Sequence, residues 1–347
     1  MQILPFFLDK SLEDLLGVLN ELGEPSYRAG QVWEGIYKHL VDDPGQLTSI
    51  PKALREKFIE FFTFSHLTEG TRVVSRDKQT VKTLFRLPDG TAIESVLMKY
   101  DERNTLCIST QSGCAMGCVF CATGQMGFAR SLTRGEIIEQ VLYFARELKR
   151  ENQVVTNIVI MGMGEPFHNY DEVMAAIDRL NDPKGFNLGA RRFTISTVGI
   201  IPGIEKFTQA KTQVNLAISL HAANDELRST LLPVNRKYPL SQLIPSCREY
   251  VDQTHRRLTF EWALIDGVND SILDAEELSN LIKGLLCHVN IIPLNPTKKY
   301  AGRSTSRERA VAFQSALTSK GIPCTIRLRR GIEINAGCGQ LASADQH

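Results

Sequence analysis

Gln111-Ser112-Gly113-Cys114-Ala115-Met116-Gly117-Cys118-Val119-Phe120-Cys121-Ala122-Thr123-Gly124 carries three cysteines at the spacing C-x3-C-x2-C. Thiolates this close on a loop of small residues can converge on one metal centre. Three sulfurs close neither a structural zinc site nor a fully ligated iron–sulfur cluster, because each normally takes four ligands. The stretch therefore reads as the grip for a [4Fe-4S] cluster with one iron left open to a small molecule. A zinc knuckle whose fourth ligand lies elsewhere in the chain is the competing reading.

Outward from this loop the pattern is α/β. Upstream, residues 72–75, 81–87 and 93–98 read as strands, with Pro88-Asp89-Gly90 as turn chemistry between the last two. Residues 106–109 read as the strand that feeds the cysteines. Downstream, Thr133-Arg134-Gly135-Glu136 is a capping-box signature opening a helix to residue 149. Strands at 157–161, 192–196, 214–220, 258–264 and 288–294 then alternate with helices at 171–180, near Ile204, from Asp225, from Leu240, at 274–286 and at 306–319. A last strand is expected at 325–329. Such alternation implies a parallel sheet with right-handed crossovers. Six units are too few for a closed eightfold barrel, so an open six-stranded partial barrel is expected.

The remaining segments complete the division. Residues 1–63 read as a small N-terminal helical domain. Ser11 caps a helix over 12–22, residues 27–40 form a second, and Pro51 suits the first turn of a third through 62. Their apolar stripes read as core. Residues 1–60 hold ten acids against six bases, so charge alone does not make this unit a nucleic-acid binder. Residues 64–105 form a short β linker, 106–330 the partial barrel, and 331–347 a tail. Small residues flank Cys338 in that tail, which predicts a flexible exposed loop.

Composition bounds the function. The 347 residues are 43% hydrophobic and 23% charged, with a formal net charge of +1. No global field draws the chain to a membrane or to nucleic acid. Eight cysteines in a chain this long do not suggest a secreted disulfide scaffold. No basic leader and no long apolar run is present. A cytoplasmic, membrane-free protein is expected, and a monomer.

Ligands of parallel sheets bind at the C-terminal ends of strands. Gly162-Met163-Gly164-Glu165-Pro166, Ser196-Thr197-Val198-Gly199, Ser219-Leu220-His221 and Pro293-Leu294-Asn295-Pro296 all follow expected strands. Glu165 could accept from a ligand ammonium. Taken singly, each is only a loop, and His221 alone reads as a structural histidine. Cys247, Cys287, Cys324 and, by itself, Cys107 read as inert buried thiols. Cys338 reads as reactive. Glu94, in an alternating strand, reads by itself as solvent-facing. Residues 298–330 hold nine bases against one acid, Glu308. A solvated helix face is the plain reading of such a run, and its eight uncompensated charges favour a footprint for RNA phosphates.

The cysteine loop with its aromatic Phe120, the Gly162–Pro166 loop, Ser219-Leu220-His221 and Cys338-Gly339-Gln340-Leu341 together resemble the RlmN/Cfr family of radical S-adenosylmethionine (SAM) enzymes, which methylate RNA adenines. The resemblance runs from about Tyr27 to Leu341. It implies a radical SAM partial (β/α)6 barrel in which Cys114, Cys118 and Cys121 hold a [4Fe-4S] cluster. It implies that Gly164, Glu165, Ser196, Ser219, Leu220, His221 and Asn295 bind SAM. It further implies that Cys338 is methylated by a first SAM and that a radical from a second converts this methyl group into a carbon that adds to the adenine. Cys107 matches the cysteine that resolves the covalent RNA intermediate by forming a disulfide with Cys338, and Glu94 matches the acid/base carboxylate. The implied partners are 23S rRNA, tRNA and an electron donor such as flavodoxin with its reductase. The housekeeping branch makes 2-methyladenine at adenine 2503 of 23S rRNA and adenine 37 of some tRNAs. The resistance branch makes 8-methyladenine at the same rRNA base. Pro166 after Gly164-Glu165 matches the housekeeping branch. Glu333, Asn335 and Gly337 depart from a pattern in which Asp and Ala are commoner.

Overall fold

The computed structural model describes residues 4–327 and 330–342. Its N-terminal helices span Leu12–Glu21, Tyr27–Tyr37 and Lys52–Phe61. Ser11 closes a reciprocal cap: the Asp14 N–H donates to Ser11 Oγ at 3.0 Å and the Ser11 N–H to Asp14 Oδ2 at 2.8 Å. Pro51 stands at the N-cap of the third helix, in extended backbone, rather than inside its first turn. Leu15, Leu19, Val32, Ile36, Leu54 and Phe58 bury the apolar stripes. The group docks on the α/β region by specific contacts. The Trp33 indole donates to Asp182 Oδ2 at 2.8 Å, and Arg179 lies 4.2 Å over the Trp33 ring while donating to the Tyr37 hydroxyl at 2.8 Å.

The main sheet begins with β1 (Thr68–Val74), β2 (Thr80–Arg86) and β3 (Ala92–Tyr100), all antiparallel. A tight turn at Asp101 and Glu102 leads into β4 (Arg103–Cys107), antiparallel to β3. Two short strands follow, β5 (Gln111–Gly113) and β6 (Phe128–Ser131), which pair only with each other. Then come β7 (Asn157–Ile160), β8 (Phe193–Thr197), β9 (Asn215–Ser219), β10 (Leu258–Leu264), β11 (Cys287–Pro293) and β12 (Cys324–Ile326). Within the main sheet every pairing from β4 through β12 is parallel, while β5 and β6 pair antiparallel apart from it. The ten strands form one sheet in the order β1-β2-β3-β4-β7-β8-β9-β10-β11-β12.

The antiparallel strands β1 to β3 continue the same sheet, because β3 pairs with β4, the first parallel strand. The last strand expected, at 325–329, is β12, which pairs parallel with β11 over Cys324–Ile326. With β4, the strand that feeds the cysteines, the six strands after the loop make seven in the parallel part. The expected continuation to residue 329 falls partly on residues outside the described set.

The strand order is linear, so the sheet does not close on itself. Side chains from β3 round to β11 nevertheless line one cavity, which means that the sheet curves around it. Parallel strands covered on both faces should be apolar throughout, and β10 is buried along six of its seven positions. After β12 the chain crosses the open side. The Arg327 N–H still donates to Ile291 O at 2.8 Å, whereas Gly331 packs against Thr80 of β2 and the Ala342 N–H donates to Glu94 of β3 at 2.9 Å. Among the described residues no helix is long and apolar enough to cross a membrane.

Candidate functional site

The three cysteines hang from the β5–β6 ribbon. Gly113 has φ +77°, and a Cβ there would sit 2.0 Å from Gly127 O, so only glycine lets the ribbon close. The Cys114 N–H donates to that same carbonyl at 2.8 Å, and the Val119 N–H to Leu231 O at 3.1 Å. Cys114 and Cys118 are buried and Cys121 is half-buried, all as free thiols. Burial pushes the Cys114 thiol up to about 12, with Cys121 adding to the effect, and raises Cys118 well above the ordinary thiol value. Thiols this weakly acidic ionise only against strong positive charge, which bound iron supplies. A lone zinc would need a fourth ligand beside these three thiols, whereas a cluster gives each thiolate its own iron and leaves one iron open.

Beside them, the turns after β7, β8, β9 and β11 converge. Gly164, at φ +105°, lets the chain pass Gln111, whose Cβ would lie 2.6 Å from any added Cβ. Glu165 is 2% exposed, accepts from the Phe167 N–H at 3.0 Å and the Val198 N–H at 2.9 Å, and burial raises its carboxyl to about 7. Such a carboxyl in a cavity wall suits a ligand ammonium. Ser196 and Ser219 face each other with their hydroxyls 3.4 Å apart. His221, at φ +60°, accepts at Nδ1 from the Ala263 N–H at 2.8 Å. That bond places its proton on Nε2, and burial holds the ring neutral with its pKa lowered to about 3. Asn295 donates to Cys338 O at 3.1 Å, and its buried Oδ1 has no partner in the protein. The raised carboxyl and the orphaned amide oxygen are what a SAM-sized polar ligand would satisfy. Leu220 is the exception: its side chain is fully buried and does not line the cavity.

The same cavity takes in Cys107 at the end of β4 and Cys338 on the tail. Cys107 is half-buried and Cys338 exposed. Cys338 opens to the cavity rather than to the outer surface, so protein crowds the thiol and pushes it up to about 11, with Arg327 opposing and Glu261 adding. Cys107 rises to about 12 by burial, and the nearness of Cys338 adds to it. The tail is not a loose loop. The Ala122 N–H donates to Gly339 O at 2.7 Å, Thr123 Oγ1 to Leu341 O at 2.6 Å and Gln340 Nε2 to Pro296 O at 3.0 Å. Its small residues serve close approach: a Cβ on Gly337 would meet Asn295 Nδ2 at 2.6 Å.

Glu94 is 3% exposed, not solvent-facing. Lys82 Nζ stands 2.8 Å from Oε1, and the Ala342 N–H covers Oε2, so the residue lies beneath the tail and outside the cavity lining. The basic run also divides. Arg309 pairs with Asp270 at 2.5 Å, Arg327 and Arg330 turn to the cavity, and Lys298, Arg303 and Arg307 remain on the surface. Arg329 lies outside the described residues. Cys247 and Cys287 are buried as expected, and Cys324 is half-buried with its thiol 3.5 Å from Gln314 O. Two buried charges escaped the sequence reading. Glu261 lines the cavity and accepts from Asn290 Nδ2 at 2.8 Å, and Arg228 lies behind the ligand turns. A lone Glu within the apolar run Leu258–Leu264 was the available signal for the first.

A three-cysteine loop at the edge of a cavity inside an open parallel α/β sheet defines a radical SAM enzyme. Residues 108–279 match the radical SAM superfamily, and residues 7–63 match the N-terminal domain of ribosomal RNA large subunit methyltransferases. The crystal structure of a radical SAM methyltransferase from Sphaerobacter thermophilus superposes with a TM-score of 0.96 at 48% identity, covering 98% of this chain and 100% of that one. A relative from Chloroflexus aurantiacus, "Probable dual-specificity RNA methyltransferase RlmN", is 47% identical over 96% of this chain and 92% of its own length. One of the same name from a Thermoanaerobacter species is 46% identical over 96% of each. The chain belongs to the RlmN family.

Proposed function

We propose that the protein methylates C2 of adenine 2503 in 23S rRNA, and adenine 37 of some tRNAs, with Cys338 as the methyl carrier. Cys114, Cys118 and Cys121 would hold a [4Fe-4S] cluster. Gly164, Glu165, Ser196, Ser219, Leu220, His221 and Asn295 would form the SAM site, Leu220 through its backbone. When bound, the two cofactors supply the one-electron chemistry that an adenine C2 carbon, which is not a nucleophile, requires. Flavodoxin with its reductase fits the need for a donor. Pro166 supports C2 over C8 as the target.

The observation that carries the reading is that the cluster cysteines, Cys107 and Cys338 all line one cavity. Cys338 holds the carbon to be transferred and bonds it covalently to the base. Cys107 would then release the RNA: its thiol gives up its proton and joins its sulfur to that of Cys338, the carbon–sulfur bond breaks, and the electron pair left on the carbon takes up a proton to complete the methyl group. Glu94 would serve as a proton carrier once its Oε2 is freed from the Ala342 N–H.

The two thiols should fail differently when replaced. Cys107→Ala still charges and transfers the carbon, so the purified protein should carry covalently attached RNA. Cys338→Ala has no carrier and should carry none. Intact-mass measurement after nuclease digestion reads this directly. An adduct on Cys338→Ala, or free methylated product from Cys107→Ala, would overturn the roles.

A further inference from the structure

Arg228 is 0% exposed, and its guanidinium makes four hydrogen bonds. Nε donates to Leu220 O at 3.1 Å, Nη1 to Asn235 Oδ1 at 2.7 Å, and Nη2 to Val198 O at 2.7 Å and Ser219 O at 3.3 Å. All four acceptors are neutral. Asp225 makes no direct bond to it, but accepts at Oδ1 from the Nδ2 of the same Asn235 at 2.9 Å and lies within electrostatic reach. A cation stripped of water and given only neutral acceptors is unfavourable unless an anion shares its surroundings.

A second anion has a place beside Asp225. Arg228 belongs to the helix Asp225–Leu231, and the cluster loop rests on the end of this helix through the Val119 N–H on Leu231 O at 3.1 Å. Cys118 adjoins that contact and lies within electrostatic reach of Arg228. The guanidinium also bridges two turns. Val198 follows β8 and Ser219-Leu220 follows β9, and these turns carry Ser196, Ser219 and His221.

We propose that Arg228 is a positioning residue with two tasks: internal countercation to the thiolate-ligated cluster, and clamp across the β8 and β9 turns of the SAM site. The proposal rests on the cluster reading above. Reduction by one electron makes the cluster one charge more negative, and a fixed cation in low dielectric favours that state. The clamp needs a planar fork, which lysine does not have.

Reconstituted full-length wild type, Arg228→Gln and Arg228→Lys would be compared by iron and sulfide content, by mediated redox titration followed by electron paramagnetic resonance, and by SAM binding calorimetry. In Arg228→Gln the ratio of reduced to oxidised cluster at the wild-type midpoint should fall at least tenfold, a shift of about 59 mV for a one-electron couple. Arg228→Lys should hold that ratio within about threefold while weakening SAM binding at least tenfold. A wild-type midpoint in Arg228→Gln would overturn the countercation, and wild-type SAM affinity in Arg228→Lys would overturn the clamp. Should Arg228→Gln not fold, a tenfold loss of reduced cluster in Arg228→Lys, which keeps the charge, would equally overturn the first task. Wild type without iron and sulfide would instead refute the cluster reading.

Discussion

Glu165→Gln separates what the carboxylate does for folding from what it does for the ligand. Glu165 is buried without a cation, and its carboxyl is raised from 4.5 to about 7. The folded chain therefore binds more protons than the unfolded chain across that window, and stability falls as pH rises through it. At 1.36 kcal/mol per pH unit, ionised Glu165 costs the folded state about 3 kcal/mol, roughly 2.5 of it between pH 5 and pH 8. Glutamine removes the titration but leaves either the Phe167 or the Val198 N–H facing an amide NH2, a loss of about 1–3 kcal/mol that does not vary with pH. The difference between the two proteins should thus change by roughly 2.5 kcal/mol in favour of Glu165→Gln from pH 5 to pH 8. Urea unfolding of cluster-free protein under reducing conditions measures it, and the constant loss cancels between the two pH values. Parallel pH curves would refute the reasoning. The same ionisation should make wild-type SAM affinity weaken as pH drops below about 7, while the weaker binding of Glu165→Gln stays flat.

Gly113→Ala places a Cβ 2.0 Å from Gly127 O at φ +77° and should lower stability by at least about 2 kcal/mol, seen as a lower melting temperature and loss of iron on reconstitution. Charge reversal at the exposed Lys298, Arg303 and Arg307 should lessen the log–log salt slope of RNA binding by about one per lost phosphate contact, whereas an unchanged slope would reduce this stretch to a solvated face.

Features written in local chemistry were legible from the sequence. The Ser11 and Thr133 caps form as their spacing requires, the Thr133 N–H donating to Glu136 Oε2 at 3.0 Å. The strand over 258–264 falls where its apolar run lies. Features made by distant segments were not. Glu94 alternates with its neighbours like a surface residue, and the groups that meet its carboxylate come from elsewhere in the fold: Lys82 on β2 and Ala342, the latter 248 positions away. The basic run is continuous along the chain but not in space, because β12 and the crossing tail send its members to different sides. The β5–β6 ribbon has strands of three and four residues, too short for alternation to show. Arg228 had no local signal at all, since its four acceptors come from three separate turns.

The crossing of the tail from β12 to β3 bears on biosynthesis. The sheet through β11 can be made and paired before residues 331–342 leave the ribosome. Until they do, Glu94 lacks its cover, the cavity lacks its thiol, and the carbonyls of Gly339 and Leu341 are not there to receive Ala122 and Thr123. A nascent or prematurely terminated chain would thus hold Cys114, Cys118 and Cys121 in an unfinished cavity without Cys338, the carrier proposed above. The order of synthesis places the step that makes the protein competent after the step that makes it folded.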